Sequence, residues 1–249
     1  MQQSISAKSP GLTIFNTQRW PILLAGLLLL GLANTVHAKT ELAPGLSHAE
    51  ASLCQSAVVL AQARMGQIFP WLRARSMPRV RFFPAGAPEG SASPWVGGIY
   101  HANDHRIDIQ HVPRLISQGR LEWTVQHEFV HAALALSGTA RLPLWLEEGS
   151  AIYLSAQTLD ETDRSITPAR SIAQLESGFR THSISRNQSA WIHLKMYNRQ
   201  ARAIIAALVE RNGIEHFTGF LRTLKNGTPF SQALASWYGL APSELSAWL

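Results

Sequence analysis

Two histidines that frame a glutamate constrain this chain of 249 residues more than any other feature of its sequence. His127, Glu128 and His131 form the pattern H-E-x-x-H. The pattern falls inside residues 121–136, whose apolar spacing predicts a helix that ends before Gly138. Because residues four apart share one face of a helix, both imidazoles can reach a single ion.

The residue types in this pattern suit zinc chemistry. Neutral imidazole is a good zinc ligand. Glu128 projects beside the same face, where a carboxylate can hold and deprotonate a metal-activated water without binding the metal. Apolar neighbours such as Phe129 and Val130 make two histidines and a glutamate costly to bury without an ion. The pattern therefore predicts zinc bound by His127 and His131, with Glu128 as the general base.

A second predicted helix, over residues 143–156, supplies candidates for the third ligand. A catalytic zinc has three protein ligands and an open position for water. This helix carries two adjacent carboxylates, Glu147 and Glu148, and 16 residues separate His131 from Glu148. That separation is long enough for the chain to return on an antiparallel helix. From the residues alone, either Glu148 or Glu147 can complete the site.

Taken together, H-E-F-V-H and the downstream L-P-L-W-L-E-E-G-S-A resemble the gluzincin branch of the zinc metallopeptidases, in particular its small bacterial peptidase-MA-like members. The resemblance covers about residues 120–249. It implies that Glu148, the glutamate before the glycine, is the third zinc ligand. It also implies that a tyrosine hydroxyl stabilises the oxyanion, and Tyr197 is the matching position. His193, one helical turn earlier, is the alternative donor.

Three further comparisons with known peptidase patterns refine this expectation. Residues 171–179 resemble a loop of the family that is rich in leucine and phenylalanine. No third histidine follows the H-E-x-x-H pattern at the metzincin spacing. Residues 97–100 and 109–111 offer no glutamate like the one with which aminopeptidases of this group hold a free amine. The pattern therefore argues against a strict aminopeptidase.

The expected function is zinc-dependent hydrolysis of peptide bonds in a peptide or protein substrate. The predicted strand Arg106–Ile109 is expected to form a sheet edge that pairs with the extended substrate. Two alternatives stay open from the sequence. One is a zinc-binding pseudoenzyme that keeps the fold and acts as an interaction protein. The other is a hydrolase of cell-wall peptides.

The first 38 residues have the pattern of a secretory signal peptide. Lys8 and Arg19 precede the uncharged apolar run 21–33, and the small residues Val36 and Ala38 then mark a cleavage site. The apolar run is shorter than the ~20 residues that span a bilayer. The sequence thus predicts an exported protein, periplasmic or secreted, without stable membrane insertion after cleavage. An uncleaved anchor is the alternative.

Composition excludes several classes of protein. Hydrophobic residues make up 46% and charged residues 15% of the chain, which excludes a disordered chain or a coiled coil. The formal net charge is +6, but the basic residues are spread along the chain and do not form a stripe with aromatic residues between them. No nucleic-acid partner is therefore expected. The single cysteine, Cys54, excludes an intramolecular disulfide and is predicted to be buried in a helix.

The predicted fold is α+β and zincin-like, with one domain over residues 39–249. A front lobe, about 39–138, holds three strands near 79–83, 96–100 and 106–110. A helical lobe, about 139–249, includes helices at 191–211, 214–225, 228–239 and 242–249. Three histidines near the strand ends are expected to be exposed to solvent: His101, His105 and His111.

Overall fold

A computed structural model describes residues 38–71, 77–86, 96–157, 159, 168–183 and 188–248. Apart from Ala38, the predicted signal peptide lies outside the described residues. Within the described ranges, no helix combines the length and the apolar character needed to cross a bilayer. The described chain is a mixed α+β protein with a small four-stranded sheet and mainly helical content.

The sheet consists of short strands in the first half of the chain: β1 (Thr40–Leu42), β2 (Arg79–Phe82), β3 (Gly98–His101) and β4 (Arg106–Ile109). Their order is β1-β2-β4-β3. β1, β2 and β4 run parallel, and β3 is antiparallel to β4. The three predicted strands are present within about two residues of their predicted ends, whereas β1 was not predicted.

The expected edge position of Arg106–Ile109 is wrong. Ile107 pairs with Val80 of β2 on one side and with Tyr100 of β3 on the other, and all four β4 residues are buried. Either strand of the β3–β4 hairpin could be the outer strand, and pairing of β2 with β4 decides that β4 lies inside. The local alternation of residues does not encode that pairing. Among the described strands, β1 and β3 are the two edges, and β3 is the one beside β4.

Nine described helices complete the fold: α1 (His48–Ile68), α2 (Val112–Ser117), α3 (Leu121–Leu136), α4 (Leu144–Leu154), α5 (Ile172–Ser183), α6 (Gln188–Asn212), α7 (Ile214–Lys225), α8 (Phe230–Tyr238) and α9 (Pro242–Ser246). The sequence patterns missed α2 and α5. Residues 171–179, expected as a loop, belong mostly to α5, because Leu175 and Phe179 lie four apart and are both buried.

Local signals explain how the first helix begins. The Ser47 hydroxyl accepts a hydrogen bond from the Glu50 N–H at 3.2 Å, and the Glu50 carboxylate accepts one from the Ser47 N–H at 2.8 Å. This reciprocal capping box satisfies two backbone donors at the start of α1. Cys54, in the next turn, is buried as predicted.

Packing between helices brings α3 and α4 together at the centre of the molecule. α1 packs on α3, which also contacts β3 and β4, and α4 packs along α6. At Gly149 the two backbones of α4 and α6 approach so closely that an added Cβ would lie 2.9 Å from Cβ of Ala201. This contact fixes the helix that carries Glu148.

A buried ionic cluster forms on the sheet around Asp108, which is 2% exposed. Its carboxylate accepts two hydrogen bonds from Arg81, both 2.8 Å long, and one of 3.1 Å from Nε of Arg106. His101 lies 3.1 Å away through Nε2, and His105 bonds the Tyr100 hydroxyl at 2.8 Å. The expectation that these two histidines are solvated is therefore wrong, because each is partly buried beside a polar partner.

Candidate metal centre

Three side chains from two helices converge on one point. α3 supplies His127 and His131 from one face, and α4 supplies Glu148. One ligand atom from each lies within 4.8 Å of the other two. The two Nε2 atoms are 3.1 Å apart, and the Glu148 oxygens lie 3.6 Å from Nε2 of His127 and 3.7 Å from Nε2 of His131. The structure thus brings together the three residues that were predicted as zinc ligands.

The Nδ1 atoms of the two histidines, on the side of each ring away from the convergence point, contact side-chain oxygen atoms. Nδ1 of His127 lies 3.1 Å from Oε1 of Gln157, and Nδ1 of His131 lies 3.2 Å from Oε1 of Glu147. Since these oxygens can only accept, each Nδ1 carries the proton and donates it. When both imidazoles are neutral, each Nε2 is then left with a lone pair directed at the other. At 3.1 Å these lone pairs can share a proton or bind a metal cation, and the donor set of two imidazoles and a carboxylate fits a zinc ion.

The choice between Glu147 and Glu148 follows from this geometry. Glu148 faces the Nε2 atoms of both histidines, whereas Glu147 contacts the far nitrogen of His131. Neighbouring residues on a helix point about 100° apart, so both carboxylates cannot face the same point. Glu148 is therefore the candidate for the third ligand, and Glu147 contacts the nitrogen of His131 that faces away from this point. Sequence reasoning missed this contact and that of Gln157.

Electrostatics favour positive charge between these groups. Burial disfavours the charged form of His131, but the carboxylates of Glu148, Glu147 and Glu128 raise its pKa above the ordinary range. Burial also opposes the ionised form of Glu148, yet the two imidazoles lower its pKa. Each group thus stabilises the charged form of the other. A divalent cation at the convergence point would satisfy the same charge balance.

Glu128 lies buried beside the two histidines, against the edge strand. Burial and the charge of Glu148 raise its pKa, while the imidazoles and the backbone N–H of Tyr100, which donates to its carboxylate, act in the opposite direction. β3 approaches so closely that a Cβ at Gly98 would lie 2.7 Å from Cγ of Glu128. A carboxylate with a raised pKa is suited to accept and return a proton. The paired glycines Gly97 and Gly98, at the start of β3, are the sequence feature that could have indicated this close approach.

A cavity of about 690 Å³ opens beside the cluster. The edge strand β3 forms one wall, and α3, α4, α6 and α7 contribute to the others. Its lining includes the three ligands and Glu128, together with several aromatic and polar residues: Tyr100, Trp123, Trp191, Asn198 and Lys225. A space of this size suits several residues of a bound peptide or another small molecule.

The structure does not bring Tyr197 or His193 to this cavity, in contrast to what was expected of an oxyanion donor. The Tyr197 ring lies against α5, where a Cβ on Gly178 would be 2.5 Å from Cζ, and the ring is 6.0 Å from that of Phe179. His193 stacks on His182 with ring centroids 4.5 Å apart. Neither residue is among those that line the cavity.

The orientation of α6 about its own axis explains why Tyr197 and His193 do not reach the cavity. Trp191, Leu194 and Asn198 face the cavity, at a spacing of three and four residues. Positions 193 and 197 lie about 110° further around the helix axis. Sequence similarity placed the helix correctly but not its orientation. Asn198, whose Oδ1 has no hydrogen-bond partner among the described residues, is the polar α6 residue at the cavity.

The chemistry of this site is inferred from its own atoms. Comparisons with models of protein families, with curated proteins and with solved structures each found no match. The arrangement consists of two imidazoles, a ligand carboxylate, a buried carboxylate beside them and an adjacent cavity. These are groups that metal-assisted hydrolysis can use.

Proposed function

We propose that this protein is an exported, zinc-dependent peptidase of the gluzincin type, with a zincin-like fold. The observation that carries the proposal is the convergence of His127, His131 and Glu148 next to the buried Glu128. The two sequence motifs and the contact of the H-E-x-x-H helix with the edge strand support it. The signal peptide predicted for residues 1–38 is the basis for proposing export.

His127 and His131 would hold zinc through Nε2, and Glu148 through its carboxylate. When bound, zinc polarises the scissile carbonyl and lowers the pKa of water in the site. Gln157 and Glu147 keep the two imidazoles in the tautomer and orientation that binding requires. A histidine that is free to rotate would lose this orientation at a cost in metal affinity.

Glu128 is the proposed general base. Its carboxylate accepts a proton from the attacking water and passes it to the leaving amine nitrogen. The Tyr100 N–H and the bare backbone at Gly98 hold this carboxylate in place on the β3 side. Because burial raises its pKa, Glu128 accepts a proton more readily than an exposed carboxylate would, which favours a proton shuttle.

The edge strand β3, and not Arg106–Ile109, is the proposed docking site for substrate. Among the described residues its one strand neighbour is β4, and residues from Gly98 to Tyr100 line the cavity. An extended peptide can add to such an edge through backbone hydrogen bonds. This mode of binding recognises the main chain and therefore suits a peptide or protein substrate.

Zinc content and peptide cleavage of the purified protein test the proposal together. We expect about one zinc per chain, as in catalytic zinc sites. We also expect a mixture of peptides to be cleaved, as monitored by mass spectrometry. Glu128→Gln should keep the zinc and lose at least a hundredfold in cleavage rate, because general-base groups contribute about 10²- to 10⁴-fold. Glu122→Gln, on the same helix but outside the cavity lining, is the matched control and should behave like the wild type.

The outcomes separate the remaining alternatives. A protein that binds no zinc, even from excess, would overturn the proposal. Zinc binding without cleavage of any peptide would instead favour the pseudoenzyme. Cleavage restricted to cell-wall peptides would narrow the substrate class without changing the roles of His127, His131 and Glu148.

A further inference from the structure

Charges around the cavity are distributed unevenly. The carboxylates among its lining residues all belong to the cluster or touch it: Glu128, Glu147 and Glu148. The cations lie around them: Arg120, Arg141, Arg180 and Lys225. With the histidines neutral, the cations already outnumber the carboxylates by one, and a divalent cation at the cluster would make the lining more positive. Such a cavity attracts an anionic ligand.

Lys225 is the most unusual of these cations. The residue is 8% exposed, lines the cavity, and has no side-chain hydrogen bond or ion pair with any described residue. Lysine is seldom this little exposed unless an anion pairs with its ammonium group. Burial lowers the pKa of Lys225, and the charge of Glu147 opposes that change without cancelling it. A ligand that brings a negative charge would supply the missing partner.

The backbone of Lys225 is held in place by the loop between α3 and α4. The Ala140 N–H donates to the Lys225 carbonyl at 3.1 Å. Gly138, with φ of +154°, packs directly on that carbonyl, so any Cβ at this position would collide with it. The glycine expected to end α3 thus also permits a close approach of α7. This contact orients Lys225 before any ligand arrives.

The other cations differ in how they are engaged. Arg180 forms an ion pair of 2.7 Å with Glu176, and the Arg120 guanidinium lies 4.7 Å from the centre of the Trp123 ring. Arg141 is exposed at the cavity rim and makes no side-chain hydrogen bond or ion pair within the described residues. Lys225 and Arg141 are therefore the pair that is free to take an anion.

We propose that Lys225, with Arg141 at the rim, forms an anion subsite that binds a carboxylate of the peptide substrate. The inference rests on the proposed function, because it names the class of peptide that this cavity takes. The carboxylate can come from the C-terminus of the peptide or from an acidic side chain. Both sources offer the same hydrogen-bond acceptor to an ammonium group.

Equilibrium binding to zinc-loaded Glu128→Gln protein tests this subsite without relying on turnover. The probes are four pools of N-acetylated pentapeptides of otherwise random sequence. Two pools end in a free carboxylate and two in a carboxamide, and one pool of each kind lacks Asp and Glu. Dialysis followed by mass spectrometry gives the affinity of each pool. The comparison proteins carry Lys225→Met or, as a control on an exposed lysine away from the cavity, Lys39→Met.

We expect carboxylate-bearing pools to bind about tenfold to a hundredfold more tightly than the pool with neither carboxylate, as a buried charged hydrogen bond provides. Lys225→Met should remove most of this preference, Lys225→Arg should retain part of it, and Lys39→Met should leave it intact. A preference confined to free termini identifies the C-terminal carboxylate. A preference that follows Asp and Glu in amidated peptides identifies an acidic side chain.

Several results would overturn the subsite. They are the absence of any carboxylate preference, a preference unchanged in a folded Lys225→Met protein, or binding of none of the pools. If Lys225→Met instead lowers zinc content and weakens all pools equally, the lysine acts through Glu147 and binds no substrate. Failure of the proposed function would look different. In that case the zinc-loaded wild-type protein would cleave no peptide, but the Lys225-dependent preference for carboxylates would persist.

Discussion

Two buried polar clusters of this molecule contain similar groups but differ in how completely the protein satisfies them. On the sheet, Asp108 accepts hydrogen bonds from Arg81 and Arg106. Between α3 and α4, Glu148 faces two imidazoles whose Nε2 atoms point toward each other. In the first cluster, arginine donors of the chain satisfy the carboxylate. In the second, the groups that face one another are nitrogen and oxygen atoms that a shared proton or a bound cation would satisfy.

This difference separates a structural cluster from a ligand site. The pKa of Asp108 reflects burial, which raises it, and the hydrogen bonds and charges of Arg81, Arg106 and His101, which together lower it below the ordinary value. Its charge is thus compensated within the fold. At the candidate metal centre, the same kind of compensation would come from a bound ion. Burial and charge alone would not distinguish the two clusters, but the directions of donors and acceptors do.

Removing a ligand from the candidate metal centre is expected to have the largest effect. His131→Ala removes one ligand atom and should weaken zinc binding more than a hundredfold, since even loss of an orienting partner costs about 10- to 100-fold. Zinc affinity, measured by competition with a chelator, checks this. His193→Ala is the matched control, because that imidazole lies outside the cavity lining. Equal zinc affinity in both variants would remove His131 from the ligand set.

Removing the charge of Asp108 from the sheet cluster should lower the stability of the fold and leave zinc affinity unchanged. Asp108→Asn removes the charge that compensates two arginines and should lower the free energy of unfolding by about 2 kcal/mol, less than for a fully buried pair because Arg81 is 20% exposed. Urea denaturation measures the change. Asp104→Asn, at an exposed partner of Arg106, should cost under about 1 kcal/mol.

The pH dependence of this cost provides a second check. The folded-state pKa of Asp108 lies below its unfolded value. Its contribution is therefore fully present above about pH 4 and is lost as the pH falls through the folded-state pKa. The stability difference between the wild type and Asp108→Asn should shrink in that acidic range. A difference that stays constant down to pH 2 would show that the charge of Asp108 does not stabilise the fold.

The smallest expected effect concerns the contact between the edge strand and the general base. Gly98→Ala places a methyl group against Glu128 and should displace its carboxylate, which lowers peptide cleavage about tenfold while zinc is retained. Gly86→Ala has no neighbour closer than 3.8 Å and serves as the control. Unchanged cleavage in Gly98→Ala would mean that the strand does not position Glu128.

Local sequence patterns predicted the elements of the fold better than their arrangement. The spacing of apolar residues, together with Pro143, Gly213 and Gly239, marked most helices, and the H-E-x-x-H pattern located the two histidines on one face of α3. These features depend on neighbours within a few residues. The position of β4 inside the sheet depends on its pairing with β2, which the local pattern does not specify.

The candidate site shows the same division. His127 and His131 could be predicted from helix geometry, and the number of ligands that zinc requires pointed to a carboxylate on the next helix. The residues alone left Glu147 and Glu148 both open, and the choice of Glu148 came from the resemblance to the gluzincins. The orientation of α6 could not, because it depends on packing against α4 and α5, so Tyr197 was chosen where Asn198 faces the cavity. The contacts of Gln157 and Lys225 likewise join segments that are distant in the sequence.

The contact between Gly149 and Ala201 has a mechanical consequence for the metal centre. Only the methyl group of Ala201 lies between the two backbones at this point, so almost nothing compressible separates α4 from α6. A displacement of α6 therefore carries the backbone of the neighbouring Glu148 with it. The volume of the residue at position 201, far along the chain from either histidine, therefore limits how closely Glu148 can approach them.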